Sequence, residues 1–223
     1  MGAMKNYTWL FFDLDGTLTD SAPGITRAVS ESLRRFGAAV PEEQILRRFI
    51  GPPLMESYQR YIGLSEAEAQ QCICLYREYY ADQGLFENAV YPGIPELLER
   101  LQRAGKRLAI TTGKPEAYAV RIAGRFGLSG YFSRIAGSGL DGTRTSKAEV
   151  IRYAMDAMDI CSGDTVLMIG DREHDVLGAR RCGVDCLGVL YGYGSREELE
   201  AAGALALAER VEDIGRLVLD GTI

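Results

Sequence analysis

The sequence predicts a doubly wound α/β fold with an all-helical domain inserted into it. In the C-terminal part of the chain, short apolar runs alternate with segments of helical periodicity, a pattern typical of a mainly parallel sheet covered by helices on both faces. One more short apolar run lies at 8–12, and the stretch from 22 to 88 that follows it shows helical patterns without a candidate core strand. We therefore expect a Rossmann-like core domain built from 1–18 and 92–223, interrupted by a helical domain at 19–91.

The first strand is predicted at 8–12, because this run is short, apolar and aromatic and is followed by an Asp-Gly turn signal. The inserted domain starts with an amphipathic helix over 23–36, in which apolar residues recur at steps of three and four before Gly37 supplies the stop. Helical patterns continue over 41–50 and 65–84. The helix at 65–84 starts with Ser and Glu in capping-box spacing.

Strands and helices then alternate to the end of the chain. Strand patterns occur at 107–111, 133–138, 165–170, 185–191 and 204–208. Helical patterns occur at 94–105, 115–127, 147–158, 174–183 and 196–203, and a final helix begins at Val211. Because helices separate the successive strands, the strands are expected to run mainly parallel in one sheet.

Composition and charge limit the functions that the chain can have. Its 223 residues are 47% hydrophobic and 25% charged, which is ordinary for a globular protein with a sizeable core. The 25 Lys and Arg residues against 31 Asp and Glu residues give a net charge of −6. Such a chain offers no broad basic surface for a nucleic acid polymer, so any phosphate binding has to be local.

Cysteine usage and the N-terminal run indicate a cytoplasmic protein. Five cysteines, an odd number without a CxxC pair, suggest neither a zinc site nor a disulfide framework. They are interpreted as small buried apolar residues: Cys72, Cys74, Cys161, Cys182 and Cys186. The single histidine, His174, excludes a His-rich metal site. The apolar run ending at Phe12 is too short for a signal peptide or a membrane span, so we expect no membrane partner.

Polar residues gather where the predicted strands end, and in an open parallel sheet ligands bind at the carboxyl ends of the strands. The first strand ends in DLDGT, the next ends in TTGKP, the third leads into GSGLDGTRTSK and the fourth ends in GDREHD. Each stretch alone has an ordinary interpretation as a turn, a loop or a solvated helix start. Their joint occurrence at successive strand ends indicates a functional site.

The first strand end carries two carboxylates, Asp13 and Asp15, at a spacing that puts both on one face if the strand extends that far. Two such charges about 4 to 5 Å apart repel each other by a few kcal/mol, so a positive group is expected between them. A hard divalent cation fits oxygen ligands, and Mg²⁺ suits a site that also binds phosphate. Asp171 and Asp175, four residues apart as a helix begins, complete the acidic cluster.

Three residues beyond the acidic cluster are suited to bind a phosphate group, and the charge of the one lysine among them, together with the metal ion, offsets the carboxylates. Thr112 offers a hydroxyl, Gly113 a backbone N–H open to close approach, and Lys147 a positive charge near a helix start. Taken singly, Lys147 is an ordinary solvated helix residue and Asp175 an ordinary surface charge. His174 is expected to influence the helix start rather than to take part in catalysis.

The same four stretches resemble the signature motifs of the haloacid dehalogenase superfamily, namely DLDGT, the threonine of TTGK, Lys147 in TSKAEVI, and GDREHD. The resemblance covers nearly the whole chain. A helical insertion after the first strand is similar to the cap of the phosphoglycolate phosphatase-like branch, and RRFIGPPL at 47–54 resembles the cap loop of that branch. The stretch GLDGTRTSKAEVI is similar to chains assigned as 5'-nucleotidases.

The resemblance implies a Mg²⁺-dependent phosphatase that hydrolyses a small soluble phosphate monoester, either phosphoglycolate or a nucleoside 5'-monophosphate. In this family Asp13 would be the nucleophile that forms an aspartyl phosphate, and Asp15 would protonate the leaving alkoxide and then activate water. Dehalogenase members lack an acid/base carboxylate at the second position. Asp15 therefore favours phosphoryl chemistry.

The resemblance also implies a metal site and a phosphate site. The Mg²⁺ ligands would be Asp13, Asp171, Asp175 and, through its backbone carbonyl, Asp15. The phosphoryl ligands would be Thr112, Gly113 and Lys147. Whether Asp175 binds the metal directly or through a water stays open. The Thr-Gly pair at 112–113 departs from the Thr-Asn pair that is common in the branch. A contact made by the asparagine side chain in the family therefore has weaker support at position 113.

Two other functions are open at this point. A phosphomutase would use the same aspartyl phosphate but return the phosphoryl group to a sugar. A phospho-accepting receiver module would also combine an acidic pocket with threonine and lysine, although it has no use for a proton donor two residues past the acceptor or for a cap. Both a monomer and a homodimer are compatible with the sequence.

Selection of the substrate is assigned to the inserted domain, which as a cap would exclude water from the site. Arg47, Arg48 and the turn at Gly51 are the candidates for its specificity loop. An equally ordinary interpretation is a helix end with solvated arginines and a rigid turn. The tyrosines within 76–80 are expected to pack in the core rather than to form an interface.

Overall fold

The computed structural model describes residues 6–160 and 165–221. The chain divides into two compact units. The α/β unit comprises the chain up to Thr19 and from Val90 onward, and the helical unit comprises Asp20–Ala89. Within the described ranges, every helix is too short or too polar to span a bilayer.

In the described part of the chain, eight strands form two sheets. In chain order the strands are β1 (Trp9–Phe12), β2 (Thr19–Asp20), β3 (Ala89–Val90), β4 (Arg107–Pro115), β5 (Arg134–Ser138), β6 (Val166–Gly170), β7 (Asp185–Val189) and β8 (Ala206–Ala208). Strands β2 and β3 pair with each other, and the other six form one sheet in the order β5-β4-β1-β6-β7-β8. All neighbours in the larger sheet run parallel.

Ten α-helices are found in the described residues. Those of the helical unit are α1 (Ala22–Phe36), α2 (Glu43–Arg47), α3 (Leu54–Ser57) and α4 (Glu66–Tyr79), with π-helical turns at Tyr58–Ile62 and Tyr80–Gly84. Those of the α/β unit are α5 (Ile94–Arg103), α6 (Glu116–Arg125), α7 (Lys147–Ala157), α8 (Glu173–Arg181), α9 (Arg196–Ala202) and α10 (Val211–Leu219), with a 3₁₀ turn at Ser129–Tyr131. The predicted fold class is thereby confirmed.

Strand β1 is central in the sheet and is buried on both faces. Trp9 and Phe11 lie in an apolar cluster with residues of α7 and α8. On the opposite face, Phe12 packs edge-on against Phe132, with ring centroids 6.1 Å apart. A strand covered on both faces has a continuous apolar sequence rather than an alternating one, which is why 9–12 is apolar throughout.

Strand β4 differs from its prediction. The apolar pattern ends at Thr111, but the strand continues to Pro115, and its pairing with β5 shifts register between these two residues. Irregular pairing of this kind bends a strand and redirects its side chains. The polar residues that follow Thr111 therefore belong to the strand end itself.

The helical unit has its own core. The capping box predicted for Ser65 and Glu68 is present at the start of α4. Tyr76 and Tyr80 are buried and stack with ring centroids 5.1 Å apart, which confirms the packing prediction for these two. Tyr79 is only partly buried and donates a hydrogen bond to Glu87.

Cysteine burial follows the prediction in part. Cys72 and Cys186 are buried and Cys182 is partly buried, but Cys74 is exposed, because it lies two residues from Cys72 on α4 and so points away from the helix's buried side. The interpretation of Cys74 as a buried residue is therefore wrong. Cys161 lies outside the described residues.

Candidate active site

Asp13 is the first residue after β1, and the sheet itself fixes its position. Its N–H donates to the carbonyl of Ile169 in β6 at 2.9 Å, so the pairing of the two strands extends to Asp13. The chain then turns sharply at Gly16, whose φ of +81° favours glycine. The strand ends before Asp15, so the assumption that placed Asp13 and Asp15 on one strand face does not apply.

Three carboxylates converge at the ends of β1 and β6. Asp13, Asp171 and Asp175 each bring an oxygen within 4.8 Å of the other two. Asp171 is 0% and Asp175 1% exposed. Asp15 does not contribute its side chain to this cluster, because its carboxylate lies 3.1 Å from the ammonium of Lys114 instead. The expectation of one cation between the Asp13 and Asp15 side chains is corrected to this arrangement.

Lys147 neutralises part of the acidic cluster. It is the first residue of α7, whose start is fixed by a capping box between Ser146 and Glu149. Its ammonium lies 2.8 Å from Asp13 and 2.7 Å from Asp175, and it also donates to a backbone carbonyl of β4 at 3.0 Å. Burial alone would lower the pKa of Lys147, but the two carboxylates outweigh burial and raise this pKa.

One lysine does not balance three buried carboxylates. Burial, followed by the neighbouring charges of Asp175 and Asp13, raises the pKa of Asp171 well above its usual range. Burial also raises the pKa of Asp175, although Lys147 opposes this. A cluster of oxygen donors that is costly to ionise fits a hard divalent cation, which would restore the balance of charge.

Asp171 is held on both of its oxygens. The backbone N–H of Tyr193 donates to one of them at 2.8 Å, and the hydroxyl of Thr17 donates to the other at 3.3 Å. The hydroxyl of Tyr191 in turn donates to the carbonyl of Thr17 at 2.9 Å. The loop after β7 therefore positions a candidate metal ligand. Residues that hydrogen-bond to metal ligands commonly orient them in this way.

This loop was not predicted as part of the site, although its sequence YGYG contains a signal. A Cβ atom at Gly194 would lie 1.9 Å from the carbonyl oxygen of Asp171, and one at Gly192 would lie 2.5 Å from the Asp171 Cβ. Only glycine permits so close an approach of two backbones. Two glycines just after a strand end indicated the approach, but the sequence did not show which segment is approached.

Replacement of Gly194 by Ala is expected to cost about 1–3 kcal/mol of folding free energy, because the backbone must move away from Asp171 to admit the methyl group. Urea denaturation in metal-free buffer measures this. The control is Gly130→Ala, since a Cβ at Gly130 would meet no described atom within 4 Å. Equal stability of the two variants would contradict the tight packing inferred for this loop.

The end of β4 supplies the predicted phosphate-binding groups. Thr112 is buried, and its hydroxyl accepts a hydrogen bond from the N–H of Lys114 at 3.2 Å, which leaves the hydroxyl proton for donation to a ligand. Gly113 is exposed, and a Cβ at this position would meet no described atom within 4 Å. Its backbone is therefore open to close approach by a phosphate group.

Lys114 is the charged residue that sequence analysis missed. It stands inside the TTGKP stretch, but a lysine beside a turn gives no signal that its side chain is buried. Its side chain is 5% exposed and forms an ion pair with Asp15 Oδ2 at 3.1 Å, while the Asp15 side chain is 12% exposed. The two predicted acids thus have separate lysine partners.

The remaining predicted residues have local partners. His174 lies in the first turn of α8 and is partly buried. In the helical unit, Arg47 forms an exposed ion pair with Glu43 at 3.1 Å. The Arg48 guanidinium lies 5.8 Å from the ring centre of Tyr61. Gly51 has a φ of +103°, which accounts for a glycine in this turn.

A family model for haloacid dehalogenase-like hydrolases matches residues 10–189. The chain belongs to this family. The match covers Asp13, Thr112 and Asp171 at the strand ends and Lys147 at the start of α7. The predicted membership, a hydrolase of the haloacid dehalogenase superfamily, is therefore confirmed.

Two named relatives and one solved structure are similar to most of this chain. A 5'-nucleotidase from Pseudomonas aeruginosa is 48% identical over 89% of this chain and 90% of its own length. A tyrosine-protein kinase, PtkA, from Mycobacterium tuberculosis is 41% identical over 86% of this chain, which spans 65% of the length of that relative. A crystal structure described as a predicted phosphatase from Clostridium acetobutylicum superposes with a TM-score of 0.92 at 44% identity, covering 97% of this chain and all of the other.

Relatives named phosphoglycolate phosphatase also match, at 28–31% identity. These names and the family model support phosphatase activity, the enzyme class that was predicted. Hydrolases of this family that act as phosphatases generally use a metal ion, and the buried triad of aspartates is suited to hold one.

Proposed function

We propose that this haloacid dehalogenase-like phosphatase hydrolyses a small soluble phosphate monoester with the help of Mg²⁺, through an aspartyl phosphate on Asp13. The observation that carries the proposal is the position of Asp13. Its carboxylate is part of the buried aspartate triad and lies 2.8 Å from Lys147, and the neighbouring strand β4 ends in the Thr112 hydroxyl and an open backbone at Gly113.

The residues suited to hold Mg²⁺ are Asp13, Asp171 and Asp175, with the backbone carbonyl of Asp15 as a further ligand. When bound, the ion would offset the charge of these carboxylates and polarise the phosphoryl oxygens. The raised pKa values of Asp171 and Asp175 agree with this assignment: burial raises them first and the neighbouring carboxylates raise them further, so a bound cation would favour the ionised forms.

In the proposed first step a carboxylate oxygen of Asp13 attacks phosphorus and the bond from phosphorus to the ester oxygen breaks. Asp15 gives its proton to the leaving oxygen. Lys147, the Thr112 hydroxyl and the Gly113 N–H bind the phosphoryl oxygens. In the second step Asp15 takes a proton from water, which attacks phosphorus and releases Asp13 and inorganic phosphate.

The names of the relatives support a choice of substrate class. The 48% identity to a protein named 5'-nucleotidase favours a nucleoside 5'-monophosphate. Relatives named phosphoglycolate phosphatase, at 28–31% identity, make phosphoglycolate the second choice. Selection between these esters is assigned to the helical unit, with Arg47, Arg48 and the turn at Gly51 as candidate contacts.

A second candidate function is transfer of the phosphoryl group from Asp13 to an acceptor other than water. The relative named tyrosine-protein kinase favours it, because 41% identity extends over 86% of this chain. A sugar acceptor would make the protein a phosphomutase. Both versions keep the roles of Asp13 and Lys147 and differ only in what enters the second step.

Phosphate release is expected from a panel of esters that includes nucleoside 5'-monophosphates and phosphoglycolate, with Mg²⁺ present, and no release above background with a chelator. A phosphomutase would instead release little phosphate and require a bisphosphate for activation. A receiver-like module would take up one phosphoryl group without turnover. Full activity in the presence of chelator would contradict the proposed metal dependence.

A further inference from the structure

The pair formed by Lys114 and Asp15 joins two neighbouring strand ends. Asp15 lies in the turn after β1, and Lys114 lies in the last part of β4, the strand that pairs with β1. Lys114 Nζ is 3.1 Å from Asp15 Oδ2, and neither side chain is more than 12% exposed. The pair is therefore fixed by the sheet and not by flexible surface chains.

Burial of a lysine side chain is costly, because the ammonium loses water and the long chain loses rotamer freedom. The Lys114 ammonium pairs with Asp15, whereas the triad members Asp13 and Asp175 are in contact with Lys147. The backbone of Lys114 is also held, since its N–H donates to the Thr112 hydroxyl at 3.2 Å. Lys114 is thus placed toward Asp15 by the irregular end of β4, which also carries Thr112 and Gly113.

The two oxygens of Asp15 have different surroundings. Oδ2 faces the Lys114 ammonium, whereas Oδ1 is buried and has no hydrogen-bond partner among the described residues. Buried polar atoms without partners are uncommon and usually await a ligand or a water. The carboxylate is therefore anchored through one oxygen and presents the other.

We propose that Lys114 is a positioning residue that holds Asp15 Oδ2 so that Oδ1 exchanges protons with the reacting groups. The proposal rests on the acid/base role given to Asp15 in the proposed function. Oδ1 would hand its proton to the ester oxygen as the bond from that oxygen to phosphorus breaks, and would then receive one proton from the attacking water. Without Lys114 the carboxylate can rotate, and the geometry that proton transfer requires is lost.

The test compares an alkyl phosphate with an aryl phosphate of similar size. The alkoxide is a poor leaving group that needs a proton from the acid, whereas the phenolate is a good leaving group that hardly needs one. We expect Lys114→Met to lower kcat/KM about 100-fold on the alkyl ester and less than about tenfold on the aryl ester. This ratio of kcat/KM values is insensitive to a general loss of folded enzyme. Lys114→Gln serves as the second variant if Lys114→Met does not fold.

Two controls make the result specific. Lys106→Met removes another partly buried lysine of the α/β unit, one whose ammonium donates to Asn6 and to the carbonyl of Tyr7, and it should leave both activities unchanged. In an Asp15→Asn background, Lys114→Met should add little further loss, because a residue that acts through Asp15 has no effect once Asp15 is replaced.

The outcomes separate this proposal from the proposed function. Equal losses on the two esters for Lys114→Met, with a selective loss for Asp15→Asn, would overturn the role of Lys114 alone. Equal losses on both esters for Asp15→Asn would overturn the acid role of Asp15 and the positioning role with it. A further large loss on adding Lys114→Met to Asp15→Asn would also overturn the positioning role, since Lys114 would then act on the substrate directly.

Discussion

Replacement of Asp13 by Asn is expected to abolish turnover, with a loss of at least about a thousandfold in kcat, because the amide cannot act as the nucleophile. The fold should persist, since Asn has nearly the same shape and its oxygen can still accept from Lys147. Phosphate release under saturating ester and Mg²⁺ measures the loss. Retention of more than a tenth of the activity would show that Asp13 is not the nucleophile.

For the same variant we also expect a defined effect on the stability of the fold, which is independent of its activity. Folding raises the pKa values of Asp171 and Asp175 in metal-free protein. The free energy of unfolding should therefore fall as the pH rises from about 4, the pKa of an unfolded Asp, toward the pKa values of the folded state. Asp13 is one of the charges that raise both. Asp13→Asn should therefore be at least as stable as wild type at neutral pH without metal.

Replacement of Lys147 by Met is expected to cause the largest loss of stability in the α/β unit. The change leaves Asp13 and Asp175 buried beside Asp171 with no counter-charge in contact, and breaking a buried ion pair in this way costs about 3–5 kcal/mol. Activity should fall at least about a hundredfold, because the positive charge that faces the phosphoryl oxygens is lost. Chemical denaturation and phosphate release measure the two effects.

The loss of stability caused by Lys147→Met is expected to depend on pH in a definite direction. The cost comes from ionised carboxylates, so it should be largest at neutral pH and shrink as the pH falls toward about 4, where unfolded aspartates take up protons. Lys106→Met is the control, because its ammonium contacts an amide oxygen and a carbonyl instead of carboxylates. A loss that is equal at all pH values would contradict the electrostatic explanation.

Much of the site was predictable because strand ends in a parallel sheet are predictable. The apolar run ending at Phe12 fixes Asp13, and the run ending at Gly170 fixes Asp171. The structure adds that the two strands are parallel neighbours, which brings the two carboxylates together. Lys147 was placed near a helix start by the helical pattern at 147–158, and the structure confirms that α7 begins at this residue.

What was not predictable depends on how chain segments far apart in sequence approach each other. The pairing of Lys114 with Asp15 depends on the turn after β1 and on the irregular end of β4. Neither segment has a hydrophobic periodicity from which its path could be predicted. The packing of Gly194 against Asp171 depends on the path of a loop after β7. Sequence periodicity describes which face of an element is buried, but it does not describe such loop paths.

The division of the two acids between two lysines changes the interpretation of the site. Charge spacing along β1 suggested one cation shared by the Asp13 and Asp15 side chains. The structure shows Asp13 near Lys147 and the acidic triad, and Asp15 near Lys114 and outside the triad. Unlike surroundings for two carboxylates are what a nucleophile and a proton donor require.

The central claim is that the phosphoryl group of the substrate is carried by Asp13, and mass spectrometry of acid-quenched enzyme tests it most directly. The Asp15→Asn variant is mixed with an aryl phosphate and Mg²⁺, since loss of the base should slow hydrolysis of the intermediate more than its formation. We predict one phosphoryl group per chain, mapped to the peptide that contains Asp13 and absent from the double variant that also carries Asp13→Asn. A phosphoryl group on another residue, or turnover without any covalent intermediate, would contradict the account.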